Sequence, residues 1–259
     1  MKKLFSNLYE YRELLKSNIK KEIRGKYKGS FLGVLWSFVN PLLSVLVYAI
    51  VFPIVLKNRE PHYVTFLICA IIPWTYFTTV IAQGTTSIIS NGGIIKKVYF
   101  PREILPISCV TSGLVNFLIS CLIIFIFLIC SGIGFSVYLL YLPLIILCQY
   151  LFTLGLIFIT SSVNVYIRDA EFIINFFIMM LFYATPILYS PVTFMGTSFE
   201  WIMKYNPLAV LMTSYRDVLF YQNMPHIKSL LVLLLGSILL VVIGKAIFSK
   251  LEKGFAEEV

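Results

Sequence analysis

Asp169 and Glu171 are the only two carboxylates that stand close together at the end of a long apolar run in this sequence. Paired carboxylates at a membrane face are the minimum equipment for acid–base chemistry on a lipid-borne substrate. Here they follow Arg168 directly, and a salt bridge at the start of a helix accounts for all three. A second charged pair, Arg102 and Glu103, sits in Phe100-Pro101-Arg102-Glu103, within an otherwise apolar connection. Charges so placed suit contact with a soluble partner better than catalysis.

Other reactive constellations are missing. There is no G-x-x-x-x-G-K-[ST] phosphate loop, no H-E-x-x-H and no G-x-S-x-G. Cys69, Cys109, Cys121, Cys130 and Cys148 all lie in apolar runs without C-x-x-C spacing, and His62 and His226 are the only histidines. Small buried hydrophobes is their expected role. Neither a metal nor a cofactor is expected in the chain itself.

The apolar runs do carry many uncharged polar and aromatic residues. Asn40, Tyr48, Thr65, Tyr76, Thr78, Thr79 and Gln83 lie in the first two; Asn116, Gln149, Asn164, Asn175, Tyr183 and Thr185 lie in later ones. Each taken singly is explained by hydrogen bonding between helices. As a set they suit a lumen for a polar, uncharged or weakly charged polymer, with aromatic faces sliding along sugar rings. Asn40-Pro41 and Thr185-Pro186 predict breaks whose freed carbonyls face such a path. No run has a charge at its centre, where one costs roughly 2.5–3.5 kcal/mol and usually marks an ion or proton route. The energy for transport must therefore come from elsewhere.

The elements that position these residues follow from composition. Hydrophobic residues make up 59% of the 259 and charged residues 13%, with a mean hydropathy of +0.90. That is an all-α integral membrane protein, and its net charge of +9 serves topology rather than nucleic acid. Crossing about 30 Å of hydrocarbon takes roughly 20 helical residues. Six segments serve: about 31–56, 64–84, 107–130, 137–163, 172–189 and 229–248. Spans three and four form a hairpin turning at Ser131-Gly132-Ile133-Gly134, and Lys245 is expected to snorkel at the end of span six. All the Lys and Arg residues except Lys57, Arg59, Lys204, Arg216 and Lys228 fall on one side, so both termini are cytoplasmic. The long polar leader before Phe31 argues against a cleaved signal peptide.

Residues 1–30 precede this six-span domain, which occupies 31–259. Leu4, Leu8, Tyr11, Leu15, Ile19 and Ile23 form one apolar stripe, as expected of an amphipathic helix in the membrane interface or against a partner. Gly25, Gly29 and Gly33 then let the backbone turn into the bilayer. The 85–106 connection predicts a short amphipathic helix and a proline-stopped turn. In 190–228, Asn206 reads as an N-cap with Pro207 at the first helical position, starting a helix to about Tyr221. That helix is too short to cross, so it is re-entrant or interfacial.

Four blocks together resemble the transmembrane subunit of type-2 ABC exporters for cell-surface polysaccharides, a family that includes O-antigen and teichoic acid permeases. They are Arg24 through Pro41; Phe100-Pro101-Arg102-Glu103-Ile104-Leu105-Pro106; Asn164-Val165-Tyr166-Ile167-Arg168-Asp169; and Asn206-Pro207-Leu208. The resemblance spans essentially the whole chain. It implies a subunit of the bacterial inner membrane that pairs with a second copy of itself and with two copies of a separate ATPase, which binds ATP and magnesium. The pair encloses a channel for lipid-linked polysaccharide, with spans one and five near the lumen. On this sequence the coupling segment then carries Ser90, Asn91, Lys96, Lys97, Phe100, Pro101, Arg102 and Glu103. Asn40, Tyr48, Tyr76, Asn175, Tyr183 and Thr185 lie along the path. Arg24, Lys26, Tyr27 and Lys28 belong to the interface helix where substrate comes in.

The nearest alternative is a type-2 ABC permease for drugs or lipids, which the Phe-Pro-Arg-Glu block disfavours. A membrane-embedded enzyme acting on polyprenyl-linked sugars would rest on Asp169 and Glu171 alone. A non-transporting scaffold gives no reason for the polar residues in the spans.

Overall fold

The computed structural model describes residues 2–27, 29, 31, 33–56, 61–194, 196–197 and 200–259; Lys28, Lys57 and Arg59 fall outside them. The described residues are helices and connections, with no strand. The leader forms two helices, α1 (Lys2–Glu10) and α2 (Arg12–Tyr27), rather than one, and Gly25 lies inside α2. The turn into the bilayer uses Gly29 and Gly33, whose φ angles of 80° and 50° suit glycine.

Next come α3 (Trp36–Leu56), α4 (Tyr63–Thr86), a short α5 (Gly92–Ile95), α6 (Ile104–Cys130), α7 (Leu142–Tyr166) and α8 (Ala170–Ala184). Then follow α9 (Glu200–Tyr205), α10 (Pro207–Leu219), α11 (Ile227–Leu251) and α12 (Phe255–Glu258). Four stretches are long and apolar enough to cross a membrane: Tyr63–Thr86, Ile104–Cys130, Val137–Tyr166 and Ile227–Glu258. Phe38–Phe52 and Ala170–Ala184 are shorter apolar helices.

Of the two breaks expected at proline, the one at Asn40-Pro41 is absent and the one at Thr185-Pro186 is present. The first helix runs through Pro41 without a break, the irregularity lying upstream at Gly33–Leu35. The fifth apolar run stops at Ala184 rather than at residue 189, because Thr185 precedes a proline and is extended (φ −112°, ψ 137°). The 131–134 turn forms as read, with φ 74° at both Gly132 and Gly134. Asn206 caps α10, its side chain accepting from the Leu208 N–H at 2.9 Å.

The bundle is centred on α4. In its most apolar window 78% of residues are buried inside the protein, against 28–44% for the other long helices. It packs against α3, α6, α7 and α10. Being enclosed by protein frees α4 from the need to be apolar all round, and a polar stripe survives on it. Pro73 lies inside this helix; the Gln149 amide of α7 donates to its carbonyl at 2.8 Å and accepts from the Tyr215 hydroxyl of α10 at 2.7 Å.

On the far side α7 and α11 lie along one another. Two glycines bring their backbones together: a β-carbon on Gly244 would sit 2.5 Å from the Gly155 carbonyl oxygen, and one on Gly155 would sit 2.9 Å from the Val241 nitrogen. Small residues at a helix crossing permit this approach, which maximises dispersion contact where lipid offers no hydrophobic drive.

Candidate functional site: a polar track and a docking face

On α4, Thr75, Thr79, Gln83 and Thr86 recur every three or four residues and so share one face. On α6, Ser112, Asn116 and Ser120 recur every four and do the same. The α4 stripe lines three clefts that run in series from the α2 end of the bundle, and the α6 stripe lines the first two. The first, about 400 Å³, opens beneath α2, between its residues Asn18, Lys21 and Glu22 and the Gln83, Ser112 and Asn116 positions. A second, about 210 Å³, shares Gln83 and Asn116 with it and adds Trp36, Asn40, Tyr76 and Thr79. The third, about 330 Å³, shares Thr75 with the second and is bounded by Tyr48, Trp74, Thr78 and Tyr183.

Four of the six predicted path residues therefore lie on one track. Asn40 and Tyr76 line the middle cleft, and Tyr48 and Tyr183 the last. Tyr76 stacks on Phe117 at 5.2 Å, while Tyr48 packs on Phe182 at 5.6 Å and Tyr183 is 67% exposed. Asn175 is exposed on α8 and borders none of these clefts. Thr185 is fully buried, its hydroxyl accepting from the Asn206 amide at 3.1 Å. Thr75, Ser112 and Ser120 line the same clefts and are neighbours that residue-type reasoning missed. The signal that finds them is the four-residue repeat of small polar side chains within an apolar run.

The carbonyls freed at Thr185-Pro186 do not face the track. Asn206 donates to Ala184 O at 3.1 Å, and the Arg216 guanidinium donates to the carbonyls of Pro186, Ile187 and Tyr189. Arg216 is 1% exposed, also donates to Phe66 O, and lies 3.5 Å over the Phe66 ring. Counted from sequence as one of five outer charges, it is a fully enclosed clamp on the broken end of α8. Its five fixed N–H donors suit a cluster of carbonyls, a task a lysine cannot match.

At the other end the α1–α2 arm packs on the protein. Glu22 accepts from Ser108 at 3.2 Å and from Ser112, and Lys21 donates to Asn91 at 3.1 Å. Burial pushes the Glu22 carboxyl above its ordinary range, against the opposing pull of the Ser112 and Ser108 hydroxyls. Glu103, expected to meet a soluble partner, is 3% exposed. It is ion-paired with Lys245 of α11 and accepts from the Asn7 amide at 2.9 Å. Lys245 thus reaches inward to a carboxylate instead of snorkelling. Arg102 donates to Glu252 O and lies over the Phe255 ring, so the Arg102–Glu103 motif fastens the 96–103 connection to both ends of the chain. Phe100 is buried as well.

What this connection presents outward is the stretch just before that motif. Tyr99 is 93% exposed, and Ile94, Val98, Lys96 and Lys97 are also exposed; Ser90 is exposed and Asn91 half-buried beside them. Two lysines around three apolar side chains make an exposed, positively charged knob. Arg24 is exposed on α2, while the side chains of Lys26 and Tyr27, and Lys28 as a whole, lie outside the described residues. The expected Arg168 salt bridge is absent among the described residues. Asp169 instead takes the N-cap position of α8 with Glu171 in its first turn, where the helix dipole favours negative charge, and the Glu171 N–H donates to Asn164 at 3.1 Å.

The long apolar helices and their polar clefts define a multi-pass helical membrane protein. This chain belongs to the ABC-2 type transporter family, which matches residues 13–220. It is 34% identical over 260 residues to the O-antigen export system permease protein RfbA of Myxococcus xanthus, covering 100% of both chains. Two proteins of the same name from Klebsiella pneumoniae are 38% and 36% identical over 256 residues, each alignment covering 98% of both chains. The chain is accordingly a non-catalytic membrane subunit that works with a separate ABC ATPase.

Proposed function

We propose that this subunit forms the channel of an ATP-driven exporter that moves a lipid-linked polysaccharide of the O-antigen kind across the bacterial inner membrane. It does so as a pair with a second copy and two ATPase copies, which bind ATP and magnesium. The observation that carries this reading is the series of polar clefts running from beneath α2, where Lys21 and Glu22 line the first, to Tyr48 and Tyr183. Hydroxyls, amides and aromatic faces at intervals let a polymer exchange one set of contacts for the next without a deep binding minimum. Six spans are completed by α3 and α8, with both termini cytoplasmic, and the Ile94–Tyr99 knob meets the ATPase. α10 lies at the outer side as a helix too short to cross.

Deleting the gene in its source strain tests the reading. Surface polysaccharide should disappear while lipid-linked polymer accumulates inside, and a plasmid copy should reverse both. Unchanged surface polysaccharide would refute it. Topology reporters after Lys97 and Val259 should read as cytoplasmic and one at Gly196 as external.

A further inference from the structure

We propose that residues 252–259 act as a strap that holds the 92–103 connection in the shape the ATPase binds, with Val259 as its positioning residue. This deepens the docking of the Ile94–Tyr99 knob given above and rests on it. α11 ends at Leu251, and the chain turns through Glu252–Gly254 into α12. The turn is seated on Tyr166 at the end of α7, whose hydroxyl donates to Leu251 O at 2.8 Å. A β-carbon on Gly254 would overlap that same hydroxyl, so the close approach needs a glycine. Phe255 follows as a fully buried anchor. Its ring lies 5.3 Å from Phe248 and 6.3 Å from Tyr166, with the Arg102 guanidinium 5.9 Å over it.

The strap meets the connection on both sides of the knob. Ahead of the knob, Val259 packs on Gly92, the first residue of α5; a β-carbon there would overlap Val259 Cγ1 and stand 3.5 Å from Val259 Cβ. Behind it, Arg102 donates to Glu252 O. Between these points the backbone bonds run within the knob and its root, from Lys96 N–H to Gly92 O and from Val98 N–H to Ile94 O. Ile95 is the one buried side chain among residues 94–99. A segment held so lightly would have to be ordered when it binds, at a cost to affinity. The strap orders it beforehand, by fixing both of its ends to one continuous stretch of chain.

The test measures binding of the purified ATPase to the full permease in lipid nanodiscs. Val259→Gly removes only the half-buried side chain that meets Gly92. Abundance and unfolding temperature should hold, while ATPase binding weakens about three- to tenfold, as when one or two side chains must be ordered on binding. A spin label at Lys97→Cys should become more mobile in the same variant, with Cys130→Ser removing the exposed native thiol. Rescue completes the test. Gly92→Cys with Val259→Cys brings two β-carbons within disulfide range. Reduced, the added side chain at position 92 displaces residue 259 and binding should weaken; oxidised, the bond restores the seat and binding should return. Unchanged binding or label mobility in Val259→Gly overturns the proposal, as does a pair that will not oxidise or whose oxidation restores nothing. The knob variant Tyr99→Ala with Lys96→Glu and Lys97→Glu runs in the same assay. Weaker binding in that variant alone sinks the strap and leaves knob docking intact; no change in either sinks both.

Discussion

Glu103 and Lys245 stand 142 residues apart in sequence and meet as a mostly buried ion pair that joins the 96–103 connection to α11. Removing one partner leaves the other charge enclosed and unpaired, which typically costs about 3–5 kcal/mol. Lys245→Met should therefore lower the unfolding temperature of the detergent-solubilised subunit and its abundance in membranes. Adding Glu103→Gln should recover much of both. A Lys245→Met variant as stable as the parent would contradict the pairing.

The exposed knob invites the opposite pattern. Tyr99→Ala combined with Lys96→Glu and Lys97→Glu removes an apolar anchor and reverses two charges, none of them buried. Membrane abundance should hold, while co-purification of the ATPase and export both fall. Normal ATPase recovery would move the docking face elsewhere.

Tyr48 and Tyr183 separate track from packing. Tyr183 is largely exposed, so Tyr183→Ala should leave abundance unchanged and reduce surface polysaccharide. Tyr48 contacts Phe52 and Phe182, and its truncation should cost roughly 2–4 kcal/mol in addition to any export defect. Export that tracks protein amount in both variants would remove these residues from the path.

Arg216→Lys keeps the charge yet cannot reach the carbonyls of Pro186, Ile187 and Tyr189 together. Buried acceptors left unmet suggest a loss of roughly 2–4 kcal/mol, read as a lower unfolding temperature. A neutral outcome would mean that the clamp is not what holds the end of α8.

Glu22 makes α2 docking pH-dependent. Its carboxyl is raised by burial, so the docked state favours the protonated form. The stabilisation is complete below the ordinary carboxylate value of about 4.3 and is lost as pH climbs through the raised one. Spin labels at Ser17 and Leu118 should report a tighter α2–α6 distance at about pH 5 than at about pH 8. Glu22→Gln should abolish the difference; a difference that persists would assign it to another group.

Much of this architecture is legible in the residues. Apolar run lengths locate the helices, Asn206-Pro207 marks the start of α10, and Gly132 and Gly134 mark the hairpin turn. The departures share one cause, which is that tertiary partners are chosen in three dimensions. Nothing local tells that Glu103 will find Lys245 rather than a soluble protein, or that Arg216 will be enclosed by carbonyls rather than placed in the outer aqueous phase. Periodicity shows which face a residue occupies, but what covers that face depends on helices far away in sequence. The track itself was half-readable: its tyrosines stand out by type, its small hydroxyls only by their four-residue rhythm.

The touching backbones at Gly155 and Gly244 also bear on how the subunit is made. α7 leaves the ribosome well before α11, and the groove at Gly155 with its neighbour Phe158 has no occupant until the last long helix arrives. The seam is therefore closed only once α11 has been made, and α11 enters it like a wedge. A chain truncated before α11 would carry an open seam into the membrane, marking it for disposal before it could join a partner.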